Sequence, residues 1–143
     1  MKRYKPDEKD LKIVRVLKAN SREAIREIAK KTGLKPSTVH QRMEKLKRDG
    51  VIEKYTLKLD NESMDENFIV FMYLATENDL PPEVFKNPHI KEAFGITGEY
   101  DLLLKLKFKD IKEFNEFIID FRKKYEIKKT LTNIATINLK EEV

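Results

Sequence analysis

The sequence predicts an α+β chain in two parts, three short helices followed by strands and helices in the order β, α, β, β, α, β. Three observations predict it. Apolar residues recur at helical spacing through the first 50 residues and then switch to a period of two. An unbroken apolar run, FIVFMYLAT at 68–76, opens the second part. Charge is divided as well: residues 1–60 hold 18 Lys+Arg against 9 Asp+Glu, a net of +9, whereas residues 61–143 hold 12 against 16, a net of −4. One part is thus suited to a polyanion, and the other to something else.

Composition narrows the class further. There is no cysteine, which excludes disulfides, thiolate metal sites and a cysteine nucleophile. The two histidines are His40 and His89. No apolar run approaches the roughly 18 residues of a membrane span, and the opening MKRYKPDEKD lacks the apolar core of a signal peptide, so a cytoplasmic location is expected. Charged residues form 38% of the chain, mostly Lys and Glu, which leans toward a heat-adapted host.

In the first helix Asp7 is placed to cap the N-terminus, with Leu11, Ile13, Val14 and Leu17 facing inward and an end near Asn20. The second runs from about Glu23 to Thr32, with Ile25, Ile28 and Ala29 inward and Gly33 stopping it. The third opens on Pro36, favoured at a first helical position, and turns Val39, Met43 and Leu46 inward before Asp49-Gly50. Three such helices with a tight turn at Gly33-Leu34-Lys35 meet the description of a helix-turn-helix, here winged-helix-like. Residues 1–50 form this domain, and 51–67 form a connecting strand and polar linker.

The remaining part, 68–143, starts with a strand expected to be buried on both faces. Pro81 to Lys86 allows a helical turn or two before Pro88. Strands follow at 93–97 and 101–108, joined through Gly98-Glu99 as a two-residue hairpin turn. Residues 110–125 return to a helical period with Ile111, Phe114, Phe117, Ile118, Phe121 and Tyr125 on one face, and 130–139 supply a last strand. That order is the ferredoxin-like βαββαβ arrangement. Two helices on one face of its sheet leave the other bare, and a second copy of the chain would cover it.

On the third helix, placing residues at about 100° intervals turns Ser37, Thr38, Gln41, Glu44, Lys45 and Arg48 away from the inward face. Ser, Thr and Gln near the start of such a helix can bond base edges, Gln41 suiting adenine, while Lys45 and Arg48 reach phosphates. His40 and Arg42 flank this face and are candidates for backbone contact. Double-stranded DNA is therefore the expected partner.

These residues resemble the Lrp/AsnC, or feast/famine, transcription regulators over nearly the whole chain. The resemblance is carried by Asp10-Leu11, Ile13 through Leu17, the stretch from Lys35 to Leu46, Gly50-Val51-Ile52 with Tyr55, and Gly98-Glu99-Tyr100-Asp101-Leu102-Leu103-Leu104-Lys105. It implies homodimers, often assembled into octamers, that pair through their C-terminal sheets and bind operator DNA with their N-terminal domains. It also implies an amino-acid effector held between dimers near the hairpin, at Gly98, Tyr100, Asp101 and Thr132. Gly98 would let a ligand approach the backbone, and Asp101 would pair with its ammonium group. The chain departs from the family in a shorter segment between Thr76 and Ala93. It also has Ala24 and Lys35 where hydroxyl N-caps are usual, and losing such a cap costs about 0.5–2 kcal/mol.

Rival readings are weaker. The glycines form no phosphate-cradling loop, and no Ser/His/Asp or metal-ligand cluster stands out, so neither catalysis, a cofactor nor a metal is expected. RNA binding by the C-terminal sheet sits poorly with its negative charge. An architectural protein that packages DNA with little sequence preference would share the charge profile, but the Ser-Thr-Gln face favours sequence reading.

Overall fold

The computed structural model describes residues 4–143. The chain divides into two units between Leu57 and Lys58, inside the expected linker. The first contains α1 (Glu8–Ala19), α2 (Ile25–Thr32) and α3 (Pro36–Arg48). Ile13, Leu17, Ile28, Ala29 and Val39 form its core, with Val16, Ile25, Leu34, Met43 and Ile52 packed around them.

The helix boundaries follow from local chemistry. Gly33 ends α2 in the left-handed conformation, φ 72°, which costs a glycine little. Pro36 is the first residue of α3. Neither Ala24 nor Lys35 makes a side-chain cap bond, so core packing has to hold both helix starts. The inward stripe of α1 differs from expectation. It is Asp10, Ile13 and Leu17 that are buried, while Leu11 is 44% exposed.

Residues 53–60 run without strand pairing, contrary to the expected connecting strand. Tyr55, Leu57 and Leu59 alternate as expected but are exposed. A period of two permits a strand, yet the ladder also needs a partner backbone, which this segment lacks among the described residues.

The second unit is a sheet of β1 (Phe68–Thr76), β2 (Ile90–Gly95), β3 (Leu102–Phe108) and β4 (Ile127–Ile134) in the order β2-β3-β1-β4, every pair antiparallel. A 3-10 turn, Pro82–Lys86, and α4 (Ile111–Lys124) complete the ferredoxin-like order. Val70, Met72, Leu74, Leu104, Leu106 and Phe108 form the helix-side layer of the core with Ile118 and Phe121 of α4. Phe108 is fully buried, stacked on His89 at 4.6 Å, edge-on to Phe114 and tilted against Phe117, both at 5.4 Å.

Boundaries differ from the expected ones at three places, the first being β2, which spans Ile90–Gly95 and not 93–97. β4 lies earlier than 130–139, and its last backbone bond joins the Ala135 N–H to the Ile69 carbonyl. β1 begins at Phe68, so the chain beyond runs out of partner and leaves Ile137 and Leu139 exposed. The hairpin is also wider than two residues. The Ile96 N–H donates to the Asp101 carbonyl at 2.9 Å, leaving residues 97–100 as the turn, with Gly98 at φ 111°.

Candidate DNA-reading helix and hairpin site

α3 presents its polar stripe as the sequence places it. Ser37, His40, Gln41, Glu44, Lys45 and Arg48 are exposed and Thr38 is half-buried, whereas Val39 and Leu46 are fully buried on the opposite side. Positions 37, 41, 45 and 48 follow one another at helical repeats, so a ligand along α3 meets hydroxyl and amide first and cations later. His40 Nε2 lies 3.8 Å from Glu44 Oε1 one turn on. Lys45 Nζ sits 4.3 Å from the centre of the Tyr4 ring, a cation–π contact that restrains this long side chain.

Arg42, expected to flank the DNA-facing stripe, is engaged with the start of α1. Its Nη1 donates to both oxygens of Asp7, at 2.8 and 2.7 Å, and to Asp10 Oδ1 at 3.0 Å. Asp10 is only 1% exposed, and its other oxygen accepts from the Tyr4 hydroxyl and from the Asp7 N–H. The Asp10 N–H in turn donates to Asp7 Oδ1, completing a capping box built from two aspartates. Hydrogen bonding to Arg42, then to the Asp10 backbone, holds the Asp7 carboxyl at a pKa of about 2. The hydrogen bond to Asp10 lifts the Tyr4 phenol to about 12, keeping it a donor. This cluster ties the start of α1 to the middle of α3. Residues 7 and 10 stand at capping-box spacing, so the Asp-x-x-Asp pattern is the signal that could have found it.

At the hairpin, Gly98 and Asp101 are exposed and Tyr100 is half-buried. Asp101 Oδ2 accepts from the Thr76 N–H at 2.9 Å, and the Asp101 N–H donates to the Leu74 carbonyl at 2.8 Å. Tyr100 packs on Tyr73 at 5.7 Å, with Lys129 Nζ 4.9 Å from its ring centre and paired with Glu99. Thr132 is not brought to this group. It stands opposite Met72, whose side chain lies in the helix-side core, whereas Tyr73 and Tyr100 lie on the other face. A groove of about 310 Å³ between the 3-10 turn and α4, lined by Val84, Ile90, Phe117 and Phe121 among others, includes none of these four residues.

An exposed polar stripe on the third helix of a helix-turn-helix, joined to a ferredoxin-like domain, defines a class of DNA-binding regulators. The winged helix-turn-helix DNA-binding family matches residues 6–53, and the Lrp/AsnC ligand binding domain matches residues 80–143. The HTH-type transcriptional regulator FL11 of Pyrococcus horikoshii is 36% identical over 116 residues, covering 78% of this chain and 77% of that one. Among solved structures, an AsnC family transcriptional regulator from Agrobacterium tumefaciens has a TM-score of 0.87 at 28% identity, covering 96% and 94% of the two chains. Escherichia coli AsnC gives 0.86 at 26%, covering 98% of each. A Neisseria meningitidis transcriptional regulator in complex with L-Met gives 0.86 at 25%, covering 96% and 94%. The chain belongs to the Lrp/AsnC family and is a DNA-binding transcription regulator.

Proposed function

We propose that this regulator reads operator sequence through Ser37, Thr38 and Gln41 on α3, and holds the DNA backbone through His40, Lys45 and Arg48. The observation that carries this reading is the exposed stripe on α3, where base-reading side chains precede cations on a single helical face. Arg42 serves by fixing α3 against α1. The protein acts by binding, in the cytoplasm, and is not an enzyme.

We further propose that it works as a homodimer paired through the sheet face away from the helices, with assembly to an octamer open to it. Two-fold pairing presents two copies of α3 to half-sites about one DNA turn, or a multiple, apart. An amino acid is the proposed effector, held at Gly98, Tyr100 and Asp101. The relative bound to L-Met supports that choice of ligand. Because Thr132 lies on the other face of its own sheet, it can join the site only from another copy. The Thr76 N–H fixes one Asp101 oxygen, orienting the carboxylate for a ligand ammonium.

An effector acts only through its difference in affinity between two states. Titrating each standard amino acid during sedimentation should therefore reveal one that changes the mass distribution or the DNA affinity. Asp101→Ala should abolish that response. Unchanged sedimentation and DNA affinity with every amino acid would contradict the effector reading.

A further inference from the structure

The sheet face away from α4 carries an apolar row across every strand, Phe94, Leu103, Tyr73 and Leu131, in direct cross-strand register. Phe94 is 54% exposed and Leu131 45%. On the same face, opposite Phe71 and Ile69, stand Lys105 and Lys107 of β3. Their side chains are only 15% and 10% exposed, in surroundings that would ordinarily exclude ammonium groups.

Glu141 answers both. It lies beyond β4 in the C-terminal segment, and its carboxylate is 2.5 Å from Lys105 Nζ and 3.0 Å from Lys107 Nζ. The carboxylate also accepts from Asn61 Nδ2 at 3.1 Å, Lys58 Nζ at 3.3 Å and Asn138 Nδ2 at 3.5 Å. Lys107 donates in addition to Asn61 Oδ1 at 2.6 Å, and Lys105 lies 3.4 Å from Glu92. Burial works against the charged carboxylate, but its bonds to Lys105, Asn61, Lys107 and Lys58 outweigh that and hold its pKa well below the usual range.

We propose that Glu141 is the residue that lets this face accept a second copy of the chain, by neutralising Lys105 and Lys107 where the apolar row must be covered. The inference rests on the dimer reading above. Covering the face removes the water that still reaches these lysines, and an uncompensated buried cation then opposes association. With Glu141 in place, the face carries both signs in internally matched groups beside an apolar row. Such a face can meet its own copy about a two-fold axis, whereas a partner of one sign would find no match.

The test is sedimentation equilibrium on the full chain, with far-ultraviolet circular dichroism confirming the fold. Glu141→Gln should raise the dimer dissociation constant at least tenfold. The triple variant Lys105→Met, Lys107→Met, Glu141→Gln should restore dimers, because it removes the buried charges together and leaves only Lys58 and Glu92, whose side chains are 45% and 51% exposed and stay hydrated. If Glu141→Gln itself unfolds, the triple variant still decides, and a folded dimer is the result expected of it. A dimeric wild type with equally dimeric Glu141→Gln overturns this proposal alone, as does a folded triple variant that stays monomeric. A wild type that is monomeric at every concentration overturns the dimer reading and this proposal together.

Discussion

Arg42→Ala is expected to destabilise the N-terminal unit and to weaken DNA binding, because the Arg42 side chain bonds two aspartates at the start of α1. The guanidinium nitrogen that bonds Asp7 also bonds Asp10, a carboxylate with 1% exposure. Leaving such a group short of a partner costs about 1–3 kcal/mol. Urea unfolding should report that loss. DNA affinity should fall further than the folded fraction does, because α3 loses its tie to α1. An affinity that simply follows the folded fraction would show that the tie stabilises without positioning.

The same cluster gives the unit an acid limit. Asp7 ordinarily titrates near 3.8 and is held at about 2 in the folded chain. A depressed carboxyl stabilises the fold at pH above the ordinary value, and the contribution is lost as pH falls through the folded one. The stability of the N-terminal unit should thus decline between about pH 4 and pH 2, and Arg42→Ala should reduce that unit's slope.

The second large effect is the salt dependence of DNA binding. Residues 1–60 carry a net charge of +9, and Lys45 and Arg48 lie exposed along α3. If a dimer neutralises about 6–10 phosphates, affinity should drop roughly 10³–10⁵-fold between 50 and 200 mM salt. Each phosphate contact adds about 0.9 to the slope of log affinity against log salt, so Lys45→Ala, lost twice in a dimer, should reduce it by about 2. Sequence preference should survive that substitution. A slope that stays flat across this salt range would separate the charge of the N-terminal unit from its DNA binding.

Punctuation makes much of this fold legible. Gly33, Pro36 and Asp49-Gly50 bound the helices where local backbone preference alone decides. The order of the second unit is also readable, because the long apolar run and the periodic phenylalanines of α4 have few alternative roles. Sequence reasoning misleads where a residue's fate depends on a distant partner. Asp10 is buried because Arg42, 32 residues on, meets it, whereas hydropathy alone points to Leu11 as the inward residue of α1. The tie of Arg42 to α1 is hidden from the sequence for the same reason. The segment near Tyr55 has strand periodicity without a partner strand among the described residues, and β4 ends where its neighbour β1 runs out. Of the four residues proposed for an effector, Gly98, Tyr100 and Asp101 are consecutive or nearly so, and the chain keeps them together. Thr132 depends on the sheet's facing, which its sequence position does not reveal. Glu141 gives no local signal, since its partners are spread from Lys58 to Lys107.

Whether α3 reads bases is decided by selecting bound sequences from a random DNA pool, with the native protein and with Gln41→Ala, at two salt concentrations. A base-reading α3 should yield a pseudo-palindromic motif that persists at the higher salt and loses definition at one position per half-site in the variant. Tight, salt-sensitive binding with no motif in either protein would contradict that reading, and would instead mark an architectural protein that packages DNA without reading it.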